Sequence, residues 1–373
     1  MSTMTTTLTK THSKSKYSYE AQQKKYGWIM GAPAFLCLLM FIVVPFVTAI
    51  TMTFTNQRMM SPHPVEMIGL SNYERLLSIN FLVVEPNRDG NGQLELNRDG
   101  QVTYPRLRTL IRKQYPELHG YYELRSVSLS NDSKLVILAK DPTFYLSLWN
   151  TLLFAMMVVP LQGGTALGLA LLVNRSLKGT NFFRTVYFAP VVTSMVVVSI
   201  VWTFLYHKDS GLINEYLRVL SFGSIGPIDW LGDKSWAMPS IVIMSSWQGA
   251  GVQMLIFLAG LQGIPKDLYE AASIDGANSW QKFRYITLPG LKNTMVFIVI
   301  STTIAAFGLF TQVDVMTSGG PQGSTTTVMY HLIQKGFREM DTAYGSTISV
   351  IYFLIILAIA MFQKRLFDKK ESK

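Results

Sequence analysis

Six stretches of the chain contain no Asp, Glu, Lys or Arg, and each is long enough to cross the hydrocarbon layer of a membrane, which takes about 20 helical residues. Because backbone amides cannot stay unpaired in lipid, each stretch is predicted to be a helix. The pattern therefore predicts an all-α membrane protein with six transmembrane helices, the first at 28–54 and the other five within 148–363. The stretches are residues 28–54, 148–173, 185–206, 238–262, 293–313 and 345–363.

The basic residues between these stretches predict the side of the membrane on which each loop lies. With a cytoplasmic N-terminus, the inside segments 1–27, 174–184, 263–292 and 364–373 carry 17 Lys and Arg, and the short outside loops 207–237 and 314–344 carry 5. Cytoplasmic loops are the ones enriched in basic residues. We therefore expect a multi-pass protein of the cytoplasmic (inner) membrane, with both termini, the tails 1–27 and 364–373, in the cytoplasm.

The amino-acid composition agrees with a membrane protein and argues against nucleic-acid binding, a disulfide and a metal site. Only 15% of the 373 residues are charged, against about 25% in soluble domains. The basic excess, a net charge of +10, is explained by topology, and no basic stripe interleaved with aromatic residues points to nucleic acid. The single cysteine, Cys37, excludes an internal disulfide, and the five histidines show no metal-ligand spacing.

The sequence carries no motif for catalysis. There is no phosphate-binding Gly-x-x-x-x-Gly-Lys-Ser/Thr loop, nucleophile elbow or carboxylate pair, so we expect neither an enzyme nor a bound cofactor. Ion-coupled carriers usually keep ionisable groups inside the membrane. The only candidate here is Asp314, at the end of the fifth stretch, which argues against a proton- or sodium-driven carrier.

The long loop 55–147 is expected outside, with a small soluble α+β insert at about 80–140. Alternating residues around polar turns predict hairpins at 93–104 and 126–139, and a proline-started helix is predicted at 105–114. Residues 87–92 resemble the start of a calcium loop, but its twelfth position is Arg98 where a glutamate is required. Two ordinary turns are therefore the preferred interpretation.

The loop 263–292 predicts two short helices that meet at a sharp bend. Pro265 suits a first helical turn, and Gly276 can end that helix in a left-handed conformation. Asn278 can then cap a second helix that ends near Pro289. A structural cytoplasmic hairpin is the alternative to a functional role.

This loop resembles the EAA loop of permease subunits in binding-protein-dependent ABC importers, in the form found in the carbohydrate-importing branch, the relatives of the maltose and glycerol-3-phosphate permeases. The matching residues are Glu270-Ala271-Ala272, Asp275-Gly276-Ala277 and Phe283 with Ile286-Thr287-Leu288-Pro289. Other matches are Gly69-Leu70-Ser71-Asn72-Tyr73, Asp141-Pro142-Thr143-Phe144, Asn150-Thr151-Leu152, Gly211-Leu212-Ile213-Asn214, Trp247-Gln248-Gly249-Ala250-Gly251, Thr317-Ser318-Gly319-Gly320-Pro321 and Ala343-Tyr344-Gly345-Ser346. The resemblance covers most of the chain outside the insert.

The resemblance implies a type I importer permease that forms half of a translocation pathway for a mono- or oligosaccharide, a polyol or a sugar phosphate. The implied partners are a second permease subunit, two copies of an ABC ATPase that bind the ATP and magnesium, an extracytoplasmic solute-binding protein, the carbohydrate and the lipid bilayer. The residues implied to couple to the ATPase are Glu270, Ala271, Ala272, Asp275, Gly276 and Ala277.

A sugar route needs hydrogen-bonding groups and an aromatic face inside the membrane. In the fourth stretch, Trp247, Gln248, Gly249 and Gln253 supply these groups, with glycines that open space. The resemblance to the maltose permease, aligned on Gly319-Gly320-Pro321, implies sugar-contacting positions near Thr302, Ala306 and Leu309, of which the last two are apolar here. For each residue, ordinary helix packing is the alternative.

For the whole chain, the alternatives are a self-sufficient carrier or channel for a small polar solute and an integral membrane enzyme.

Overall fold

The computed structural model describes residues 22–90, 93–129, 133–174 and 180–368, and most of them are helical. The helices are α1 Gln22–Met52, α2 Ser71–Leu77, α3 Leu107–Gln114, α4 Pro142–Val173, α5 Thr180–Val192, α6 Met195–Leu205, α7 Leu212–Leu220, α8 Lys234–Gln262, α9 Lys266–Ile274, α10 Ser279–Gly290, α11 Lys292–Phe307, α12 Thr311–Met316, α13 Val328–Ile333 and α14 Thr342–Asp368. The strands are β1 Ile79–Val84, β2 Tyr122–Ser128 and β3 Lys134–Ala139. Most of the predicted N-terminal tail, the end of the C-terminal tail and the turns at 91–92 and 131–132 lie outside the described residues.

Four helices, α1, α4, α8 and α14, are each long and apolar enough to cross a membrane. Two bent pairs pass the same test when each is taken as one span. Thr185–Val192 meets α6 at 109°, and α10 meets α11 at 65°. The chain is therefore a largely helical protein with several candidate membrane spans.

The expectation of continuous helices over 185–206 and 293–313 is wrong, because both stretches contain a break. The first breaks before Ser194, which has an extended ψ of 135°, and the second ends at Phe307. At the second break, the Phe307 carbonyl accepts a hydrogen bond from Tyr352 Oη at 2.6 Å, and the Leu309 carbonyl accepts one from Thr327 Oγ1 at 2.7 Å. Side chains thus replace the lost helical bonds, which is how broken helices are tolerated at membrane depth.

The long helix α8 lies at the centre of the helical bundle, where it packs against α4, α5, α11 and α12. Small residues permit this close packing. A Cβ atom on Gly251, for example, would lie 2.4 Å from the Tyr187 carbonyl oxygen of α5. Helix α1 differs, since its most apolar window has no buried residue and its contact with α14 includes Phe46 and Phe353, whose ring centroids lie 5.4 Å apart.

The start of α14 is held against the π-helical turn Gln334–Arg338 by two glycines. A Cβ atom on Gly345 would lie 2.6 Å from Gly336 Cα and 3.0 Å from Gly336 N. Both contacts are with backbone atoms, which cannot move aside as the end of a flexible side chain can. This contact therefore fixes how closely α14 approaches the turn.

Gly345→Ala is expected to lower the free energy of unfolding by about 1–3 kcal/mol, because the added methyl group overpacks a backbone contact. Thermal unfolding of the purified protein in detergent measures the effect. Gly164→Ala is the matched control, since a Cβ atom on Gly164 of α4 would meet nothing within 4 Å. Equal unfolding temperatures for the two variants would contradict the prediction.

Residues 79–139 contain a small α+β unit. The sheet has the order β1-β3-β2 with antiparallel pairs, and Ile111 of α3 packs in a cluster with Leu82, Val136 and Leu138. The predicted second hairpin and the predicted helix are confirmed. The hairpin predicted at 93–104 is confirmed as a short antiparallel pair, in which Asn97 N and Thr103 N donate to the carbonyls of Gln101 and Glu95 at 2.8 Å around the turn from Asn97 to Gly100. Strand β1 was not predicted, because its partner β3 is distant in the sequence and no turn signal joins them.

Candidate functional site

A cavity of about 620 Å³ lies where α4, α8 and α11 meet, beside the break that follows Phe307. It contains six of the seven residues predicted for the sugar route: Gln248, Gly249, Gln253, Thr302, Ala306 and Leu309. The other lining residues are Phe154, Val158, Gln162, Met195, Ser245, Val252, Ile256, Phe297, Ser301, Ala305, Gly308, Thr311 and Gln312. The structure thus brings together residues of the charge-free stretches 238–262 and 293–313, which the loop 263–292 separates in the sequence.

Trp247 is not among the lining residues. Its half-exposed ring packs against Trp202 of α6, with ring centroids 5.6 Å apart. The aromatic face expected from Trp247 therefore lies outside the cavity lining, whereas the rings of Phe154 and Phe297 belong to it.

The polar groups of the cavity are all amides and hydroxyls. Gln253 Nε2 donates a short hydrogen bond to Thr302 Oγ1, which joins α8 to α11. Gln248 Nε2 donates to the Thr193 carbonyl at 3.4 Å, at the break between α5 and α6. The Oε1 atom of Gln253 and the Oγ atom of Ser245 are buried and have no hydrogen-bond partner within the part of the chain that the structure describes. Both atoms belong to residues that line the cavity.

Gln162 of α4 is a lining residue that the sequence interpretation missed. A Cβ atom on Gly249 would lie 2.4 Å from Gln162 Nε2, so the space left by this glycine holds the Gln162 amide. The expectation that Gly249 opens free space is thereby corrected. Gln162 could have been identified from the sequence as a glutamine within a span that has no charged residue, because polar residues in such spans are often functional.

Gly249→Ala is expected to displace the Gln162 amide and to reduce the solute uptake that the resemblance implies by about threefold to tenfold, because the lining changes shape where α4 faces α8. Initial uptake rates in cells, corrected for the amount of protein in the membrane, measure this effect. Gly168→Ala is the control, since a Cβ atom there would meet nothing within 4 Å. Uptake at the control rate would argue against a role for this contact.

The segment 263–292 forms the predicted bend. Gly276 has φ +77°, and the Ala277 and Gly276 N–H groups donate to the carbonyls of Ala272 and Ser273 at 2.8 and 3.2 Å. This pair of bonds is the Schellman motif that ends α9. Asn278 and Gln281 form a capping box that starts α10. The predictions for Gly276 and Asn278 are both confirmed.

Two side-chain contacts close the corner between α9 and α10. Tyr269 Oη lies 3.0 Å from Thr287 Oγ1, and Lys282 Nζ donates to Ser273 Oγ at 2.7 Å. These two contacts connect α9 to α10 across the bend, so the two helices are held as one unit.

The corner presents side chains that have no partner within the described chain. The carboxylates of Glu270 and Asp275 are exposed and form no hydrogen bond or ion pair there, and Ala271 is exposed as well. Ile274 is 87% exposed. The other predicted residues of this segment, Ala272 and Ala277, are half-buried. Exposed apolar groups beside a free carboxylate are typical of a surface that binds another protein.

A buried polar cluster joins α4, α13 and α14, and the sequence interpretation did not foresee it. Asp141 Oδ2 accepts hydrogen bonds from His331 Nε2 at 2.8 Å and from Tyr344 Oη at 2.6 Å, and Asp141 Oδ1 accepts one from Phe144 N at 3.1 Å. The Arg75 guanidinium lies 3.8 Å from the centre of the Tyr344 ring. The cluster thereby fastens α2 and the starts of two long helices to one another.

The same contacts set the ionisation of Asp141. Burial opposes ionisation of the carboxyl, but the hydrogen bond and charge of His331, followed by the bonds from Tyr344 and Phe144, outweigh it and lower the pKa of Asp141 to about 2. Asp141 is therefore a buried carboxylate whose charge is balanced by its neighbours.

A family model described as "binding-protein-dependent transport system inner membrane component" matches residues 164–373, which include the bent segment and most of the cavity. The chain belongs to this family. As a family member it is an ABC transporter permease, a membrane component distinct from the ATPase. It shares 36% identity with the lactose transport system permease protein LacF of Rhizobium radiobacter, over 70% of this chain and 87% of LacF.

This permease is also 34% identical to the arabinooligosaccharides transport system permease protein AraP of Bacillus subtilis, over 70% of this chain and 82% of AraP. Among solved structures, it resembles a chain of a bacterial ABC transporter involved in import of the acidic polysaccharide alginate. The TM-score is 0.65 at 16% identity, covering 95% of this chain and 99% of that chain. That likeness establishes the type I importer permease fold.

Proposed function

We propose that this permease forms half of the translocation pathway of an ATP-driven importer for a carbohydrate. The observation that carries the proposal is the cavity between α4, α8 and α11, where amides and hydroxyls lie among mostly apolar residues, in a chain whose relatives LacF and AraP are named for sugars. Groups of this kind form hydrogen bonds with sugar hydroxyls. The lining residues proposed to contact the solute include Gln162, Gln248 and Gln253.

The proposal includes six spans, with each bent pair counted as one span, and cytoplasmic termini. The excess of basic residues in the segments 1–27, 174–184, 263–292 and 364–373 supports this orientation. It places the corner of α9 and α10 in the cytoplasm and the α+β insert outside. The charge-poor spans support a position in a membrane, and the family description, which names the inner membrane, supports the cytoplasmic membrane.

The corner of α9 and α10 is proposed to bind one of two ABC ATPase subunits, which hold the ATP and magnesium. Glu270 would make charge-assisted contacts there, Ala271 and Ala272 would pack in a groove, and Gly276 with Ala277 would set the bend beside Asp275. A second permease subunit would complete the pathway, and an extracytoplasmic solute-binding protein would deliver the sugar. Closure of the ATPases would then move the corner as a rigid body.

Reconstitution tests the proposal. Proteoliposomes that contain this permease, a copurifying second permease, the ATPase and the solute-binding protein are expected to accumulate a saccharide only when ATP is supplied. Vesicles that contain this permease alone are expected to accumulate nothing. Uphill accumulation by the permease alone would contradict the proposal and favour a self-sufficient carrier.

A further inference from the structure

Helix α7 lies in the loop between the bent span that ends with α6 and the long span α8, and its surface has three distinct sides. The inner side packs on the helical bundle through Ile213 and Leu217. A second side carries two exposed charges, and Arg218 Nη2 donates there to Glu215 Oε1 at 2.6 Å. The third side is apolar and yet exposed, and no other part of the described chain covers it. Its residues, which the helical spacing puts on one face, are Leu212, Tyr216, Val219 and Leu220, each between 56% and 76% exposed.

The side chain of Asn214 fixes how α7 is turned relative to the bundle. Its Nδ2 atom donates to the carbonyls of Lys208 and Ile228, both at 2.8 Å. Its Oδ1 atom accepts from Ile228 N at 3.2 Å and from Trp230 Nε1 at 2.9 Å. Because Asn214 is buried, a rotation of the helix would leave these polar groups without partners. The apolar side is thereby held away from the bundle.

The turn after α7 adds a further exposed apolar group. Phe222 is 97% exposed, and its backbone has φ +53°. This left-handed conformation is unfavourable for a residue with a bulky side chain. The turn is held by a hydrogen bond from Gly223 N to the Arg218 carbonyl at 2.8 Å. The chain therefore presents an aromatic ring to its surroundings beyond the end of α7.

A row of aromatic rings connects α7 to the ends of the two neighbouring spans. The ring centroids of Trp202 and Tyr206, at the end of α6, lie 5.2 Å apart. Tyr206 contacts Trp230 at 5.4 Å, and Trp230 contacts Trp236 in the first turn of α8 at 5.1 Å, again between centroids. Trp and Tyr are enriched at the boundary between membrane and water. Because Trp230 also donates to Asn214, α7 is tied to this boundary.

We infer that α7 and Phe222 lie in the interfacial layer of the lipid bilayer, with the apolar side towards the acyl chains and the pair of Glu215 and Arg218 towards water. Amphipathic helices bind membrane surfaces in this way. The neighbouring span supports lipid as the partner, since α6 also leaves apolar side chains such as Val197 and Phe204 exposed. The inference goes beyond the proposed function and takes from it only the orientation, which makes this the outer leaflet.

Spin labels test the inference in the complete transporter, reconstituted in phospholipid vesicles. In a Cys37→Ser background, a nitroxide is attached to Leu220→Cys or to Glu215→Cys, which lie on two sides of the same helix. Collisions of the label with oxygen, which concentrates in the bilayer, and with a water-soluble nickel complex are measured. The ratio of oxygen to nickel collisions is expected to be at least about threefold higher for Leu220→Cys, because an interfacial helix inserts its apolar side by about 5–10 Å.

Two other results would overturn the inference. Frequent nickel collisions at both sites would show that the apolar side faces water, and few collisions with either reagent at Leu220→Cys would show that another subunit covers it. A second pair of variants repeats the test without a label. In vesicles of brominated phospholipid, Leu220→Trp is expected to lose a larger fraction of its fluorescence than Glu215→Trp, and equal quenching would contradict the inference. Neither measurement depends on uptake, so the proposed function is tested separately.

Discussion

Glu270→Lys is expected to reduce ATP-driven uptake by at least about tenfold, while the permease remains folded in the membrane. Glu270 is exposed on α9 and has no partner within the described chain, so its replacement removes no internal contact. Substitutions at such surface positions usually change stability by less than about 0.5 kcal/mol. The reversed charge instead acts on the proposed contact with the ATPase.

Uptake and ATPase activity, measured in the same proteoliposomes, check this prediction. Glu117→Lys is the control, because Glu117 is an exposed glutamate of the insert whose side chain has no partner in the described ranges of the chain. It undergoes the same chemical change far from the corner and is expected to retain wild-type uptake. Wild-type uptake by Glu270→Lys would refute the coupling role, and loss of the protein from the membrane would show that Glu270 has a structural role instead.

Asp141→Ala is expected to lower the free energy of unfolding by about 3–5 kcal/mol, because buried partners are left without an acceptor. The substitution removes the group that accepts from His331, Tyr344 and the Phe144 N–H. Thermal unfolding of the purified protein, together with its amount in the membrane, measures the effect. Asp209→Ala, at an exposed position whose side chain has no partner among the described residues, should shift the unfolding temperature very little.

The same carboxyl predicts a pH dependence. The pKa of Asp141 is lowered from 3.8 to about 2 in the folded protein, so its stabilising effect is complete above about pH 4 and is lost as the pH falls towards 2. Asp141→Asn keeps the shape of the side chain but cannot ionise, so the unfolding temperature of this variant should depend less on pH in that window. Identical pH profiles for wild type and Asp141→Asn would contradict the assigned pKa.

Local features of the structure were predictable from the sequence. The role of Gly276 follows from the backbone freedom of glycine, and the role of Asn278 follows from the capping ability of its side chain. The bend could therefore be predicted from these two residues. Charge-free stretches predicted where the long helices lie. The breaks near Ser194 and after Phe307 were missed, because a local pattern does not reveal the distant partners of the backbone there. Gln248 donates to the Thr193 carbonyl at the first break, and Tyr352 and Thr327 donate to backbone carbonyls at the second.

Contacts between distant segments were the least predictable. Gln162 enters the cavity only because Gly249 of another helix makes room for it. His331 and Asp141 are 190 positions apart, and each appeared unremarkable in its own segment. Five of the eleven lining positions on α8 and α11 were nevertheless anticipated. Gln248, Gly249 and Gln253 were predicted from their own chemistry, and Thr302 and Ala306 from the resemblance to the maltose permease.

The braced corner of α9 and α10 is connected at each end to a wall of the cavity, because α8 precedes it and α11 follows it. We therefore expect a displacement of the corner to act on both walls and to change the distance between them. The distance between spectroscopic probes on α8 and α11, attached after Cys37 is removed, should therefore change with the nucleotide state of the assembled transporter.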